Sequence, residues 1–97
     1  MTTDINSLLT SSPDVRHGRP RISGTGITVH RIAIWYTLGH SAEEICHQYG
    51  HLTLAGVYAS LAYYHANRAQ IDAEIAADEA EALRLEQEYS QQQQVLQ

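Results

Sequence analysis

The feature that most constrains this fold is a long run of helix-forming sequence without an internal stop signal. No proline or glycine lies between Asn67 and Tyr89, and alanine and glutamate are abundant there. A set of residues recurs at alternating spacings of four and three, which places them on one helical face that we call the seam. These residues are Val57, Leu61, Tyr64, Arg68, Ile71, Ile75, Asp78, Ala82, Leu85 and Tyr89. The seam is apolar except for Arg68 and Asp78, and it predicts a helix that is capped by Thr53 and continues toward the C-terminus.

The far part of this helix has little apolar surface to bury. Few large apolar residues follow Ile71, so we expect 67–97 to form an amphipathic, acidic helical arm. The low-complexity stretch Ser90–Gln97 is predicted to be disordered. Because an isolated helix of this composition is only marginally stable in water, the arm is expected to dock in a partner's groove or in a coiled coil. The alternative is a solvated helix that frays.

The remaining chain is short enough for one domain with a modest core. Residues 1–15 are expected to be a flexible terminus with a short strand near 5–9. The β-prone stretches 21–23 and 27–29 flank a glycine-rich turn and predict a hairpin.

Three helices are expected to follow in the domain 16–66. The first begins near His30, the second runs from Ser41 to about Tyr49, and the third begins at Thr53; Ser41 and Glu44 form a capping-box pattern. The predicted fold is mostly α: an N-terminal β-hairpin or strands, a three-helix unit of helix–turn–helix type, and a long C-terminal helical extension.

Charge divides the chain into two unlike parts. Residues 1–71 contain five arginines and four acidic residues, whereas 72–97 contain one arginine and seven acidic residues. There is no lysine, and guanidinium groups suit bidentate contacts with phosphate or carboxylate. The predicted DNA-binding residues are Arg16, Arg19, Arg21, Arg31, Thr53 and Tyr58, the last two on a third helix placed for the major groove. Alternatively, the arginines are solvated or paired with acidic residues. The start of the third helix also lacks the usual base-reading side chains.

Catalytic and metal-binding patterns are weak. One cysteine, Cys46, excludes an internal disulfide, and we find no catalytic triad or phosphate loop in the local spacing. His47 and His51 are four residues apart, but Gly50 is expected to end the helix between them. We therefore expect a protein that is not an enzyme and needs no cofactor or metal. The absence of a long apolar run favours a cytoplasmic location and no membrane contact.

An ordered series of short motifs resembles the domain-of-unknown-function family 433 over about residues 16–64. The series is Gly18-Arg19-Pro20-Arg21-Ile22, Gly24-Thr25, Ile27, Val29, Gly39-His40-Ser41, Glu43-Glu44-Ile45, Tyr49, His51-Leu52-Thr53, Ala59, Leu61, Ala62 and Tyr63. The resemblance implies a helix–turn–helix class and an antitoxin that is paired with a PIN-like ribonuclease toxin.

The expected function is therefore that of a type II antitoxin that binds and inhibits such a toxin through its C-terminal helix and regulates its own operon by binding DNA. The predicted toxin-binding residues are Arg68, Ile71, Ile75, Leu83, Arg84, Leu85 and Tyr89. Arg84 or Arg68 could pair with the toxin's metal-binding carboxylates. A homodimer is expected because a second copy could complete the short sheet; the alternative is a hetero-oligomer with the toxin. Two alternatives stay open: a stand-alone dimeric DNA-binding regulator and an adaptor that binds only protein.

Overall fold

The structure, a computed structural model, describes residues 4–95 and the side chains of residues 4–92. Two short strands, β1 (Leu9–Thr10) and β2 (Arg21–Ile22), precede four helices: α1 (Val29–Thr37), α2 (Ala42–Tyr49), α3 (Leu54–Ala66) and α4 (Arg68–Val95). Single 3-10 turns cover Ile5–Ser7 and Arg16–Gly18. The predicted fold class is confirmed: the protein is mostly helical, with a short antiparallel sheet near its N-terminus.

The sheet pairs β2 with the N-terminal segment. β1 and β2 are antiparallel, with Leu9 opposite Ile22. The expected pairing of 21–23 with 27–29 is reduced to one bridge between Arg21 and Thr28. The physical reason is that Thr28 already caps α1, where its hydroxyl accepts a hydrogen bond from the Arg31 amide.

Local capping signals define the helix starts as predicted. The hydroxyl groups of Ser41 and Thr53 accept hydrogen bonds from the amides of Glu44 and Gly56 at the starts of α2 and α3. The Glu44 carboxylate also accepts from the Ser41 amide, which completes the capping box. Gly50 ends α2 with a φ of 67°, a left-handed conformation that glycine adopts without steric cost.

A break at Asn67 separates α3 from α4, so the expectation of one uninterrupted helix from Thr53 was wrong. Asn67 has φ −129° and ψ 35°, outside the helical region. Its amide donates to the carbonyls of Tyr63 and Tyr64, and its side-chain nitrogen also donates to the Tyr63 carbonyl. The amide thus keeps the regular helical bond to the residue four positions back, while the side chain, as short polar side chains often do, adds a local hydrogen bond to the same carbonyl.

The core consists of two apolar clusters. The main one lies among β2 and the first three helices and contains Ile22, Ile32, Ala42, Ile45, Leu52, Val57 and Leu61. The second joins α1 and α3 to α4 and contains Val29, Ala33, Tyr64 and Ile71. A Cβ added to Gly56 would lie 3.0 Å from Ile22 Cγ2, so this glycine permits the close approach of β2 to α3.

The first three turns of α4 pack on the domain, and the rest extends away from it. Ile71 is 1% exposed, and Ile75 is partly buried. Every side chain from residue 76 to 92 is exposed. The arm expected at 67–97 therefore leaves the domain only after the last docking contact, at Asp78; we call 79–95 the distal helix.

The distal helix also corrects the expectation of disorder at the C-terminal end. Residues 90–95 are helical, whereas disorder was predicted from Ser90 onward. Glutamine has a good helix propensity, and this stretch contains neither proline nor glycine to stop the helix. Residues 96 and 97 of that prediction lie outside the described part.

Candidate functional site

Three of the four clustered arginines line one surface pocket. The pocket, here called the arginine pocket, has a volume of about 260 Å³. Its lining comprises Arg16, His17, Arg19, Gly26, Ile27, Thr28, Arg31 and Tyr49. These residues come from the turn before β2, from the segment between β2 and α1, from α1 and from the end of α2. The tertiary fold therefore concentrates positive charge at a concave surface, although the whole chain is acidic.

A left-handed turn presents the side chains of Arg16 and His17. Arg16, His17 and Gly18 have φ values of 51°, 58° and 78°. Only the glycine adopts this region without penalty; a left-handed residue with a Cβ costs roughly 1–2 kcal/mol. Two flanking hydrogen bonds hold the turn: the Gly18 amide donates to the Val15 carbonyl, and the Arg19 amide donates to that of Arg16.

The arginines of the pocket differ in how many hydrogen bonds and ion pairs their guanidinium groups already form. Within the described residues, Arg16 donates through Nε alone, to the Gly26 carbonyl at 3.2 Å. Arg31 is exposed and forms no ion pair with the part of the chain that the structure describes. Arg19 is engaged by both oxygens of Asp78, at 2.7 and 3.2 Å. These hydrogen bonds lower the pKa of the Asp78 carboxyl and raise that of the Arg19 guanidinium.

Arg21, by contrast, does not line the pocket. It is partly buried, its Nε donates to the Thr25 carbonyl at 3.1 Å, and its buried Nη1 has no hydrogen-bond partner among the residues that the structure describes. Arg21 therefore stabilises the turn after β2. Of the four arginines predicted to contact DNA, the structure brings Arg16, Arg19 and Arg31 together and turns Arg21 inward.

The predicted contacts on α3 lie apart from the arginine pocket. The Thr53 hydroxyl serves as the helix cap. Tyr58 is exposed, and its hydroxyl donates to Glu43 Oε1 at 3.1 Å, which raises the pKa of the phenol. An acidic side chain thus flanks the start of α3, where a groove-binding helix would have to approach DNA phosphates.

Two predicted partner-binding residues are built into the domain. Ile71 is buried in the second cluster, and Ile75 packs against the same cluster. Arg68 is exposed; it lies over the Tyr64 ring at 5.9 Å, and its Nε is 3.6 Å from Asp72. The first turns of α4 therefore serve docking within the chain.

The distal helix carries the other predicted partner-binding residues, and they do not share one face. Leu83, Leu85 and Tyr89 are all exposed. At about 100° per residue, Leu85 and Tyr89 continue the face of Ile71, whereas Leu83 points roughly 160° away from Leu85. Arg84 lies on another side of the helix, where it forms ion pairs with Glu81 and Glu88. Any contact of Arg84 with a partner's carboxylates would have to replace these two pairs.

Sequence reasoning missed His17, Tyr49 and one buried contact. His30 is 4% exposed, and its Nε2 lies 3.0 Å from Glu74 Oε1, which ties α1 to α4. His17 could have been included because it lies between an arginine and a glycine in the basic segment. Tyr49 and the His30–Glu74 pair depend on tertiary packing and have no local signal.

Other kinds of site find no support within residues 4–95. No group of three or more histidine, cysteine or acidic side chains there is arranged to hold a metal ion. The Cys46 thiol is a partly buried donor to the Leu52 carbonyl. No helix in this part of the chain is long and apolar enough to cross a membrane.

The fold and site define a small helical protein with a concave arginine cluster and a projecting C-terminal helix. The chain belongs to the family described as "Protein of unknown function (DUF433)", which matches residues 9–64. It is similar to a crystal structure of a DUF433 member protein from Anabaena variabilis, with 32% sequence identity and a TM-score of 0.67. That similarity covers 74% of this chain and 71% of the other. No curated protein matches the chain.

Proposed function

We propose that the protein is a cytoplasmic, non-enzymatic antitoxin that binds a PIN-like ribonuclease through its distal helix and contacts DNA through the arginine pocket. The observation that carries the proposal is the projecting helix, which keeps large apolar side chains exposed. Leu85 is 52% and Tyr89 63% exposed, on the face that Ile71 and Ile75 use for docking within the chain. An amphipathic helix that continues past its own domain is suited to a groove on another protein.

Charge favours a nucleic-acid enzyme as the partner. Four of the seven acidic residues beyond Ile71 lie in the distal helix together with one arginine, which gives this helix a negative surface. A ribonuclease must attract phosphates and so presents positive charge near its RNA path. The distal helix is therefore complementary to the surface that RNA would occupy. Inhibition would follow from coverage of that path, and Arg84 can keep its intrahelical ion pairs.

The test is capture of the PIN-like protein that a neighbouring gene would encode. We expect the full chain to bind it and to suppress its RNA cleavage. A double substitution, Leu85→Ala with Tyr89→Ala, should weaken binding at least about tenfold, since each removes a large apolar contact. Gln87→Ala, on the opposite face, is the matched control. Undiminished capture by the double variant would refute the proposed docking face.

The second candidate is a stand-alone dimeric DNA-binding regulator, favoured by the arginine pocket alone. It predicts salt-dependent binding to the protein's own promoter without an effect on any neighbouring nuclease. An adaptor would instead form a stable protein complex and fail to retard DNA at low salt. Sedimentation of the free chain tests the homodimer, which stays a prediction in both regulatory schemes.

A further inference from the structure

We propose that the arginine pocket binds one phosphate group, supplied either by the DNA backbone or by a small phosphoester. The DNA source deepens the proposed function and rests on it; affinity for the phosphate group itself does not. The inference combines three features of the pocket: uncommitted guanidinium groups, a strained backbone at Arg16 and His17, and a restricted volume.

The uncommitted donors are those of Arg16 and Arg31. Arg16 uses Nε on the Gly26 carbonyl, so its two terminal nitrogens remain for a ligand. Arg31 retains its whole guanidinium group. Each planar fork can donate two parallel hydrogen bonds to the oxygens of a phosphate, and such charge-assisted bonds are about twice as strong as neutral ones. His17 adds a further donor at the same surface.

The backbone of the turn argues against a chance surface cluster. Two adjacent residues with a Cβ, Arg16 and His17, adopt left-handed conformations. Strained positions of this kind persist where the surrounding structure over-determines them, and they concentrate at binding sites. Both side chains line the pocket. The fold therefore retains a conformational strain that a solvated loop could avoid with glycine at these positions.

The volume of the pocket suits a small group rather than a drug-sized ligand. At about 260 Å³, the pocket falls below the roughly 300–1,000 Å³ of cavities that enclose drug-sized ligands. The rest of the molecule would lie outside, as a nucleic-acid backbone or a sugar and base would. Tyr49 and Ile27 supply an apolar part of the wall next to the charged one.

Arg19 connects the pocket to α4. Its guanidinium is held by Asp78, so an incoming phosphate must compete with that carboxylate for it. Removal of the carboxylate should therefore strengthen phosphate binding. Asp78→Asn frees Arg19 and removes a nearby negative charge, while Glu79→Gln removes the same charge one residue away, where no ion pair is formed with the described residues. The difference between these variants isolates the effect of the Arg19 contact.

The experiment titrates the full chain with inorganic phosphate and with a nucleoside 5′-monophosphate at constant ionic strength, and follows the Gly26 and Thr28 amides by NMR. We expect saturable shifts, about tenfold weaker binding in Arg31→Ala and in Arg16→Ala, and partial rescue in Arg31→Lys. Asp78→Asn should bind more tightly than Glu79→Gln. Arg84→Gln, which removes a positive charge far along α4, should leave the affinity unchanged.

Competition identifies the source of the phosphate. If a short DNA duplex displaces the small ligand, and does so less well in Arg31→Ala, the backbone is the natural source. If the small ligands saturate the site and DNA does not compete, a phosphoester is the source and the proposed DNA contact fails alone. The inference is overturned if no ligand saturates the shifts, or if Arg31→Ala and Arg84→Gln behave alike. Capture of the ribonuclease, measured separately, is unaffected by that result.

Discussion

Truncation of Ile71 tests whether α4 is anchored to the domain. The side chain is 1% exposed and packs in the cluster with Val29, Ala33 and Tyr64. Ile71→Ala removes three carbon groups, worth about 2.4 kcal/mol in transfer alone at roughly 0.8 kcal/mol each. The cavity raises this cost, and the better helix propensity of alanine offsets a few tenths. We expect a loss of about 3 kcal/mol in the free energy of unfolding.

Urea unfolding measures this loss with two probes. The single tryptophan, Trp35, lies in α1, where its indole N–H donates to the Tyr49 hydroxyl at 2.8 Å; its fluorescence therefore reports the three-helix core. Far-UV circular dichroism reports all helices, α4 included. A loss of about 3 kcal/mol corresponds to a decrease of at least about 12 °C in the melting temperature of a domain of this size.

Leu83→Ala is the matched control on the same helix. Its side chain is 55% exposed, so the free energy of unfolding should change by no more than about 0.5 kcal/mol. Equal unfolding midpoints for Ile71→Ala and Leu83→Ala would refute the reasoning, because they would mean that the start of α4 is no better anchored than its distal part. A change in dichroism without a change in Trp35 fluorescence would place the loss in α4 alone.

Further predictions concern single caps and one ion pair, each measured by urea unfolding. Ser41→Ala should cost about 1 kcal/mol, because the hydroxyl caps the Glu44 amide. Gly50→Ala should also cost about 1 kcal/mol; apart from the adjoining backbone, no heavy atom of the described residues lies within 4 Å of the added Cβ, so backbone strain is responsible. Because Arg19 lowers the pKa of Asp78, their contact should stabilise the fold above about pH 4 and lose its effect as the pH falls through the lowered value. Asp78→Asn should reduce this acid dependence.

The helices of the domain were predictable because their signals are local. Each cap acts within three or four residues, as the hydroxyls of Ser41 and Thr53 and the left-handed Gly50 do. The cap and its partner can therefore both be recognised in a short stretch of sequence. The strand pairing was not predictable, because Leu9 and Ile22 are far apart in the chain and neither residue specifies the other as its partner. Residues 27–29 looked equally β-prone, but Thr28 is required as the cap of α1.

The break at Asn67 could not be predicted from the hydrophobic periodicity. Asparagine is a moderate helix residue, and the spacing of four and three continues across it from Tyr64 to Ile71. The side-chain hydrogen bond from Asn67 to the Tyr63 carbonyl favours the break, together with the docking of Ile71. The periodicity identified the correct face but could not show that the helix is interrupted there.

The arginine cluster shows the same division between what is local and what is tertiary. The basic segment predicted three of the pocket's cationic side chains, because residues close in sequence must be close in space. It could not predict that Arg21 turns toward the Thr25 carbonyl, nor that Tyr49 closes the pocket from the end of α2. The orientation of a long side chain depends on partners that only the folded chain assembles.

The two proposed sites meet on the first turns of α4. Ile71 and Asp78 lie on one face of this helix, about 10 Å apart along its axis, and fasten it to the second cluster and to Arg19 respectively. A phosphate that draws Arg19 away would remove the attachment at Asp78 and leave the one at Ile71. A shorter part of α4 would then be held by the domain. A partner that binds the distal helix would have to supply more of the free energy of ordering it. Phosphate and partner should therefore oppose each other, and by linkage the opposition must be equal in both directions.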